Sequence, residues 1–356
     1  MWYIVELRWW RAKRYWNEAQ DNNAILRMGI DENGRNLNKN NIKRLILAEK
    51  SDIQETLLLI DSLWLYLDNM IIIDKHNGQL CNRLWSLLPV ISFSLEKNIK
   101  ILVLWSPKDV VSYFTGLAGA KNIHFYYSGI KKFSWWWRIN VLLEKTNNYI
   151  NEPLETFQAK NTKIYFIDAW KHSEDVSYIQ NHKQEIKKLF QPNESVIQKI
   201  SHAFVFFDGL TIGVHIRRGD YKEYLSGRYY LSVEKWAKYI KCLSSQSTNK
   251  DVRFLICSNE DGIDKELLKL VPTANIFSIQ NTNGITDLYA LSKCDYIIGV
   301  PSSYSQWASF IGETPLFLIT NEKMPLLEDF HKIVYFNHFD NGSSLGFDNE
   351  RYYLIE

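Results

Sequence analysis

The sequence predicts an α/β fold with two doubly wound domains that face a cleft, preceded by an extra amino-terminal segment. The chain has 356 residues, enough for two domains of ordinary size. Within 70–319, short apolar runs rich in β-branched residues alternate with stretches whose apolar residues recur at helical spacing. Such alternation builds parallel sheets from strand–helix–strand units, and two series of it predict two domains.

The first series begins at Met70, after a segment, 1–69, that we predict to be accessory and helical. "MIIID" predicts a strand that ends in the polar turn "KHNGQ". Apolar residues then follow a helical pattern from Leu80 to Leu95, in which Pro89 is expected to cause a kink. "IKILVLW", "NIHFYY" and "TKIYFIDAW" predict further strands. The polar stretch at 191–201 predicts a linker, which gives a first domain of 70–200.

The second series is more regular. Predicted strands are "TIGVHI", "DVRFLICS", "NIFSI", "DYIIGV" and "PLFLI", and between them lie the helical patterns "VEKWAKYIKCL", "DKELLKLV", "ITDLYALSKC" and "SYSQWASFIG". This series predicts a second domain of 201–325, with a carboxy-terminal extension of 326–356.

Composition excludes several classes of protein. A net charge of +2 does not mark the chain as a nucleic-acid binder. The four cysteines stand far apart in apolar contexts, which predicts reduced thiols, no metal site and a cytoplasmic location. No apolar stretch is long enough to cross a bilayer. The opening "MWYIVELRWWRAKRYW" mixes aromatic and basic residues, which suits either peripheral contact with the inner face of a membrane or an ordinary amphipathic helix.

The charged "HIRRGD" directly follows a predicted buried strand, at the end where open α/β sheets bind ligands. An arginine guanidinium forms bidentate hydrogen bonds to phosphate or carboxylate. Arg217 and Arg218 would point to opposite sides, so one faces the cleft while the other pairs with a carboxylate such as Asp220. The alternative is that both form structural ion pairs.

Two more strand ends carry polar residues. "GVPSSYSQW" combines hydroxyls with a helix N-terminus, which suits a phosphate, although Ser302, Ser303 or Ser305 also suits a simple helix cap. "SNE" at 258–260 has side chains that can contact a base or ribose. Together these ends predict a nucleotide pocket. The sequence has no Gly-x-Gly-x-x-Gly loop, Walker-type loop or Asp-x-Asp pair, so cationic side chains would neutralise a diphosphate without a metal.

"HIRRGDY" resembles the His-x-Arg-Arg-x-Asp motif of the α1,2-, α1,6- and protein O-fucosyltransferase superfamily, and its α1,2 branch most. "TDLYALSKCDYIIGVPSSYSQWASF" and "IIIDKHNGQLCNRLWSL" are similar to the family's carboxy-terminal and amino-terminal motifs. The resemblance extends from about residue 70 to 320. It implies a GT-B-like fold, an acceptor-side first domain, and a second domain that binds GDP-fucose as donor. It also implies inversion at the anomeric carbon, with no required metal or other cofactor.

The resemblance also assigns residues. Arg217 would hold the diphosphate, Arg218 would brace the loop, and His215 would lie near the donor. Asn259 matches a position that reads guanine in relatives with an acidic pair, and Asn82 matches a position of the amino-terminal turn. Four residues match the positions that cradle the phosphates: Ser302, Ser303, Tyr304 and Ser305.

Asp220 and Glu223 are candidate catalytic bases by proximity, although Asp220 also suits an ion pair and Glu223 a solvated loop. Asp74 and His76, at the end of the first strand, are candidates for acceptor binding. We therefore expect a galactoside α1,2-fucosyltransferase acting on an oligosaccharide or surface-glycan precursor. Alternatives are a different donor or linkage, or a catalytically silent glycan-binding relative. The Arg-Gly-Asp tripeptide at 218–220 abuts a buried strand, which disfavours a role in adhesion.

Overall fold

The computed structural model describes residues 70–75, 78–104, 112–118, 120, 122–126, 148–158, 164–204, 207–247 and 250–356. They form two five-stranded sheets, in which all strands are parallel, and one four-stranded antiparallel sheet. The predicted accessory segment, 1–69, lies outside the described residues. No helix in the part of the chain described here is both long and apolar enough to span a membrane.

The first sheet has the strand order β3-β2-β1-β5-β4. Its central strand, β1, buries every side chain from Met70 to Ile73, as expected when helices or loops cover both faces of a sheet. The helix that follows β1 ends at Asn98, whose left-handed φ of 52° suits an asparagine, and it contains Pro89 as predicted. The elements are β1 (Met70–Lys75), α1 (Leu80–Lys97), β2 (Lys100–Leu104), α2 (Thr115–Ala118), β3 (Ile123–Tyr126), β4 (Tyr149–Ile150) and β5 (Ile164–Asp168).

The segment 191–201, where we predict the linker between the two domains, is largely helical. After α3 (Lys183–Leu189), helix α4 (Glu194–Ala203) begins at Asn193, whose side chain accepts a hydrogen bond from the Val196 amide. The composition of this segment is polar because α4 buries only Val196 and Ile200 among its residues.

The second sheet has the order β10-β9-β6-β7-β8 and is covered on both faces. Successive residues of β7 alternate between two cores: Phe254 packs with α5 and α6, and Leu255 packs with α7 and α8. The elements are β6 (Gly209–Ile216), α5 (Val233–Ser244), β7 (Asp251–Ser258), α6 (Ile263–Leu270), β8 (Asn275–Phe277), α7 (Gly284–Leu291), β9 (Tyr296–Gly299), α8 (Ser303–Gly312) and β10 (Leu316–Leu318). The predicted α/β fold with two Rossmann-like sheets is confirmed.

The predicted carboxy-terminal extension forms the antiparallel sheet, in the order β11-β12-β13-β14. Its strands are β11 (Ile333–Tyr335), β12 (His338–Phe339), β13 (Ser344–Phe347) and β14 (Tyr352–Ile355). Strand β14 is at one edge of this sheet, and Tyr353, Leu354 and Ile355 are all exposed.

Helices α1 and α8 join the two parallel sheets. The Trp85 ring of α1 meets the Trp307 ring of α8 edge-on, with centroids 5.1 Å apart. The Trp85 indole N–H donates to the Ser303 carbonyl at 3.0 Å, so the N-terminal turn of α8 is attached to the first domain. Both tryptophans are fully buried, and this contact therefore fixes one sheet against the other where the candidate site lies.

Candidate functional site

The polar residues singled out by sequence follow three neighbouring strands, β6, β7 and β9. The register of these strands aligns their carboxyl ends. His215 of β6 lies opposite Cys257 of β7 and Gly299 of β9. Gly299 leaves room for the imidazole, because a Cβ at that position would lie 3.3 Å from the His215 Cβ. The loops that follow these three strands therefore begin side by side at the carboxyl edge of the sheet.

Arg218 is fixed on all sides. Its Nε donates to Glu260 Oε2 at 2.6 Å, Nη1 donates to the Leu231 carbonyl at 3.1 Å, and Nη2 donates to the Tyr230 hydroxyl. The guanidinium also lies 4.3 Å from the centroid of the Tyr230 ring. Arg218 thus braces the loop, as the resemblance implied, but its carboxylate partner is Glu260 rather than Asp220.

Arg217 is held more loosely and faces the first domain. Its Nη2 donates to Asp220 Oδ2 at 2.8 Å and to Gln79 Oε1 at 3.2 Å. Gln79 occupies the N-cap position of α1, the helix that follows β1, so this second bond joins the loop after β6 to an element of the first sheet's half. Nε and Nη1 make no hydrogen bond within the described residues, and they remain available for an anion.

Asn259 is exposed, and its side chain connects two loops. Its Oδ1 accepts from the Arg218 amide at 2.7 Å, and its Nδ2 donates to the Arg218 carbonyl at 3.2 Å. Glu260 Oε1 accepts from the Gly219 amide at 3.1 Å in the same way. Because the Asn259 amide already binds the backbone through both atoms, the structure gives no support to its predicted role in reading the base.

His215 is buried and neutral. Its ring stacks on the Tyr304 ring with centroids 4.7 Å apart, and its Nδ1 has no hydrogen-bond partner within the described residues. Burial, assisted by the positive charge of Arg217, lowers the pKa of His215 to about 3. The imidazole therefore acts as an uncharged group beside the site and not as a cation for phosphate.

The Ser-rich turn forms the N-terminus of α8. The Ser302 side chain accepts from the Tyr304 amide at 3.2 Å, so the simple cap that the sequence allowed is present. Ser303 and Tyr304 are half-buried, and the Tyr304 hydroxyl donates to the Gly284 carbonyl at 2.5 Å. Ser305 is fully buried and bonds within the turn, which removes it from any phosphate-contacting surface.

The carboxylates of the loop differ in their partners. Asp220 is exposed and pairs with Arg217, as noted above. Glu223 is exposed, and its carboxylate has no hydrogen bond or ion pair within the described part of the chain. Of the two candidate bases, Glu223 is therefore the one whose carboxylate is free.

The first domain contributes the turn before α1. Gly78 has a left-handed φ of 71°, and a Cβ there would lie 2.4 Å from Asn82 Nδ2. Asn82 therefore lies under the turn that carries Gln79. The side chain of Asp74 and the whole of His76 lie outside the described residues.

Sequence reasoning missed two residues of this site. Gln79 was quoted only as part of a polar turn, and its contact with Arg217 depends on the packing of two domains. Asp287, in the first turn of α7, was quoted only within the helical pattern "ITDLYALSKC" and within the carboxy-terminal motif. Burial raises the pKa of the Asp287 carboxyl from 3.8 to about 6, and its charge is close enough to raise the pKa of Tyr304.

Comparison with known proteins gives one family match. Residues 196–332 match the model of Glycosyl transferase family 11, and this range includes all strands of the second sheet. None of the curated proteins matches this chain.

Several solved structures are similar in architecture at low sequence identity. Fucosyltransferase NodZ from Bradyrhizobium is 15% identical, with a TM-score of 0.48 over 71% of this chain and 96% of that one. A mutant of Arabidopsis thaliana FUT1 in complex with GDP is 12% identical, with a TM-score of 0.47 over 72% and 71%. POFUT1 in complex with GDP-fucose is 9% identical, with a TM-score of 0.45 over 70% and 95%.

Proposed function

We propose that this protein is an inverting fucosyltransferase that moves L-fucose from GDP-fucose to a glycan hydroxyl, forming an α1,2 linkage to a galactoside. The match to Glycosyl transferase family 11 supports a glycosyltransferase, and it covers the strand ends that form the site. The His-x-Arg-Arg-x-Asp resemblance supports fucose and the α1,2 linkage.

The observation that carries the proposal is the difference in hydrogen bonding between the adjacent Arg217 and Arg218. Arg218 has three hydrogen-bond partners and a stacked ring, whereas Arg217 donates only from Nη2 and keeps the three N–H groups of Nε and Nη1 free within the described residues. A guanidinium with free donors at the carboxyl edge of a parallel sheet suits a diphosphate.

The reaction needs such a cation. The bond between the anomeric carbon and the phosphate oxygen breaks, and its electron pair goes to the diphosphate. The acceptor oxygen forms a new bond to the same carbon from the opposite face and loses its proton to a base. Because negative charge on the diphosphate grows as the bond breaks, a fixed arginine stabilises the transition state more than the ground state.

We propose that the reaction needs no metal. The N-terminal amides of α8 and the Arg217 guanidinium together supply positive potential for a diphosphate. Within the described residues, no group of three or more His, Cys, Asp or Glu side chains is arranged to hold a metal ion.

Glu223 is the proposed catalytic base. Asp220 is occupied in holding Arg217, so its role is to position that guanidinium. Glu223 lies three residues later in the same loop with a free carboxylate, which can accept the proton of the acceptor hydroxyl.

We propose that Asp287 selects the base of the donor. An ionised carboxylate accepts two parallel hydrogen bonds from N1–H and the N2 amino group of guanine, an edge that uracil lacks. The charge of Asp287 raises the pKa of Tyr304, whose ring stacks on His215, whereas the Asn259 amide is engaged by the backbone.

The proposed acceptor is an oligosaccharide or surface-glycan precursor, bound from the side of the first domain through Asn82 and, by prediction, Asp74 and His76. We further propose a cytoplasmic enzyme whose segment 1–69 makes peripheral contact with the inner face of a membrane.

The test is calorimetric titration with GDP, UDP and GDP-fucose in the presence of EDTA. Metal-free binding of GDP but not UDP, lost in Arg217→Ala, is the expected result. If GDP does not bind, or if Arg217→Ala binds it equally well, the donor assignment is wrong. Binding of GDP-fucose without transfer to any acceptor would instead favour the alternative of a silent glycan-binding relative, and binding of another sugar nucleotide would favour a different donor.

A further inference from the structure

Aromatic side chains connect the Arg217 loop to the carboxy-terminal sheet. The Arg217 guanidinium lies 5.7 Å from the centroid of the Tyr221 ring, whose centroid lies 5.1 Å from that of Tyr224. The Tyr224 hydroxyl lies 2.8 Å from the hydroxyl of Tyr352 in β14. The Tyr352 ring is 4.7 Å from that of Phe347, its partner on β13. The series is therefore continuous from the proposed reaction centre to the antiparallel sheet.

The series is buried beside Arg217, whereas Tyr224 and Phe347 are exposed and Tyr352, which joins them, is half-buried. Tyr221 is 9% exposed, whereas Tyr224 is 37% and Phe347 is 44% exposed. Packing of the core explains Tyr221, but it does not explain large apolar rings that remain in contact with solvent next to a catalytic loop.

The two faces of the β13–β14 hairpin are different. Phe347 and Tyr352 stand opposite each other and therefore share one face, the face that contacts Tyr224. Tyr353 points to the other face, where its ring covers Gly346: a Cβ on that glycine would lie 2.7 Å from Tyr353 Cζ. At 40% exposure, Tyr353 is as accessible as Phe347 but faces away from the loop.

The paired phenols also offer polar contacts. One hydroxyl of the Tyr224–Tyr352 pair donates to the other, so the second phenol keeps its proton for another partner. A pyranose ring has an apolar face of C–H groups and a rim of hydroxyls, and it therefore needs both an aromatic surface and hydrogen-bonding groups at the edge of that surface.

We propose that Tyr224, Tyr352 and Phe347 form a platform that holds the acceptor saccharide and decides which glycans react. The proposal rests on the proposed function, because continuity with the Arg217 loop identifies the occupant as the molecule that reacts there. The carboxy-terminal sheet would then act as the acceptor-selecting part of the chain.

Saturation-transfer NMR on the full chain without donor tests the platform, with lactose, N,N′-diacetylchitobiose and cellobiose as probes. We expect ring protons of at least one disaccharide to receive saturation, and Phe347→Ser and Tyr224→Ala to reduce it at least fivefold. Tyr353→Ser, the matched control on the opposite face, should leave it unchanged. The proposal is overturned if no disaccharide receives saturation, or if Tyr353→Ser reduces the signal as much as Phe347→Ser.

GDP titration of the same variants separates this proposal from the donor assignment. Unchanged GDP affinity with weaker disaccharide binding supports the platform, and acceptor KM should then rise about tenfold with little change in kcat. Loss of GDP affinity in Phe347→Ser would show that the residue acts on the fold or the donor site, which refutes the platform. If the disaccharide results agree with the prediction but the wild type does not bind GDP, the donor assignment is refuted and the platform is not.

Discussion

Replacement of Arg217 by lysine tests the proposed function while keeping the charge. The guanidinium uses Nη2 for two bonds at once, to Asp220 at 2.8 Å and to Gln79 at 3.2 Å. A lysine ammonium carries the same charge on a single nitrogen, so it cannot hold these partners in the same plane while it binds a diphosphate through further donors. The side chain is 21% exposed, which limits how far water can replace the lost hydrogen bonds.

The magnitude follows from the bonds that are lost. A hydrogen bond to a charged group contributes about 1.5–3 kcal/mol, so the loss of one such bond in the transition state lowers the rate about 10- to 150-fold. We expect Arg217→Lys to lower kcat about 100-fold and Arg217→Ala to lower it about 1,000-fold or more, by comparison with arginines in phosphoryl transfer.

The assay is release of GDP from GDP-fucose in the presence of an acceptor, measured for each variant. Arg228→Lys is the matched control, since Arg228 is an exposed arginine of the same loop. It should keep near-normal turnover. Equal rates for Arg217→Lys and the wild type would refute the assignment of Arg217 to the diphosphate.

Three further changes test other parts of the site. Glu223→Gln should lower kcat about 100-fold with unchanged GDP affinity, whereas normal kcat would exclude Glu223 as the base. The Asp287 carboxyl releases its proton near pH 3.8 in the unfolded chain but near 6 in the folded one, so the stability of the wild type should fall by about 1–3 kcal/mol as pH rises from 4 to 7. Asp287→Asn has no proton to release, and its free energy of urea unfolding should therefore not show this fall between pH 4 and pH 7. Gly299→Ala should lower the Tm by several degrees, because its Cβ would press on His215 from 3.3 Å, and an unchanged Tm would show that the imidazole can move.

The alternation of strands and helices was predictable because parallel strands are buried on both faces and read as continuous apolar runs. All five strands of the second sheet and the four helices between them occur within a few residues of their predicted positions. The motif could also be located from sequence, since "HIRR" follows the strand Gly209–Ile216, whose last six residues are all buried.

Elements with weak apolar patterns were missed. The strands of the carboxy-terminal sheet have two to four residues each, too few to show a period, and its edge leaves Tyr353, Leu354 and Ile355 exposed. The partners within the site were missed for a different reason. That Glu260 and not Asp220 pairs with Arg218 depends on which residues of β6 and β7 lie opposite each other, and no local pattern records that register.

The register of these two strands is what gives the adjacent arginines different roles. Ile216 lies opposite Ser258, so the residues that follow, Arg218 and Asn259, meet through backbone and side chain. Once Arg218 is tied to the β7 loop, its neighbour must point to the other side, where Gln79 of the first domain is within reach. A shift of one residue between β6 and β7 would exchange the two faces of β6. Arg218 would then point toward Gln79, and Arg217 would point toward Glu260. The free guanidinium is therefore a property of the sheet and not of the motif alone.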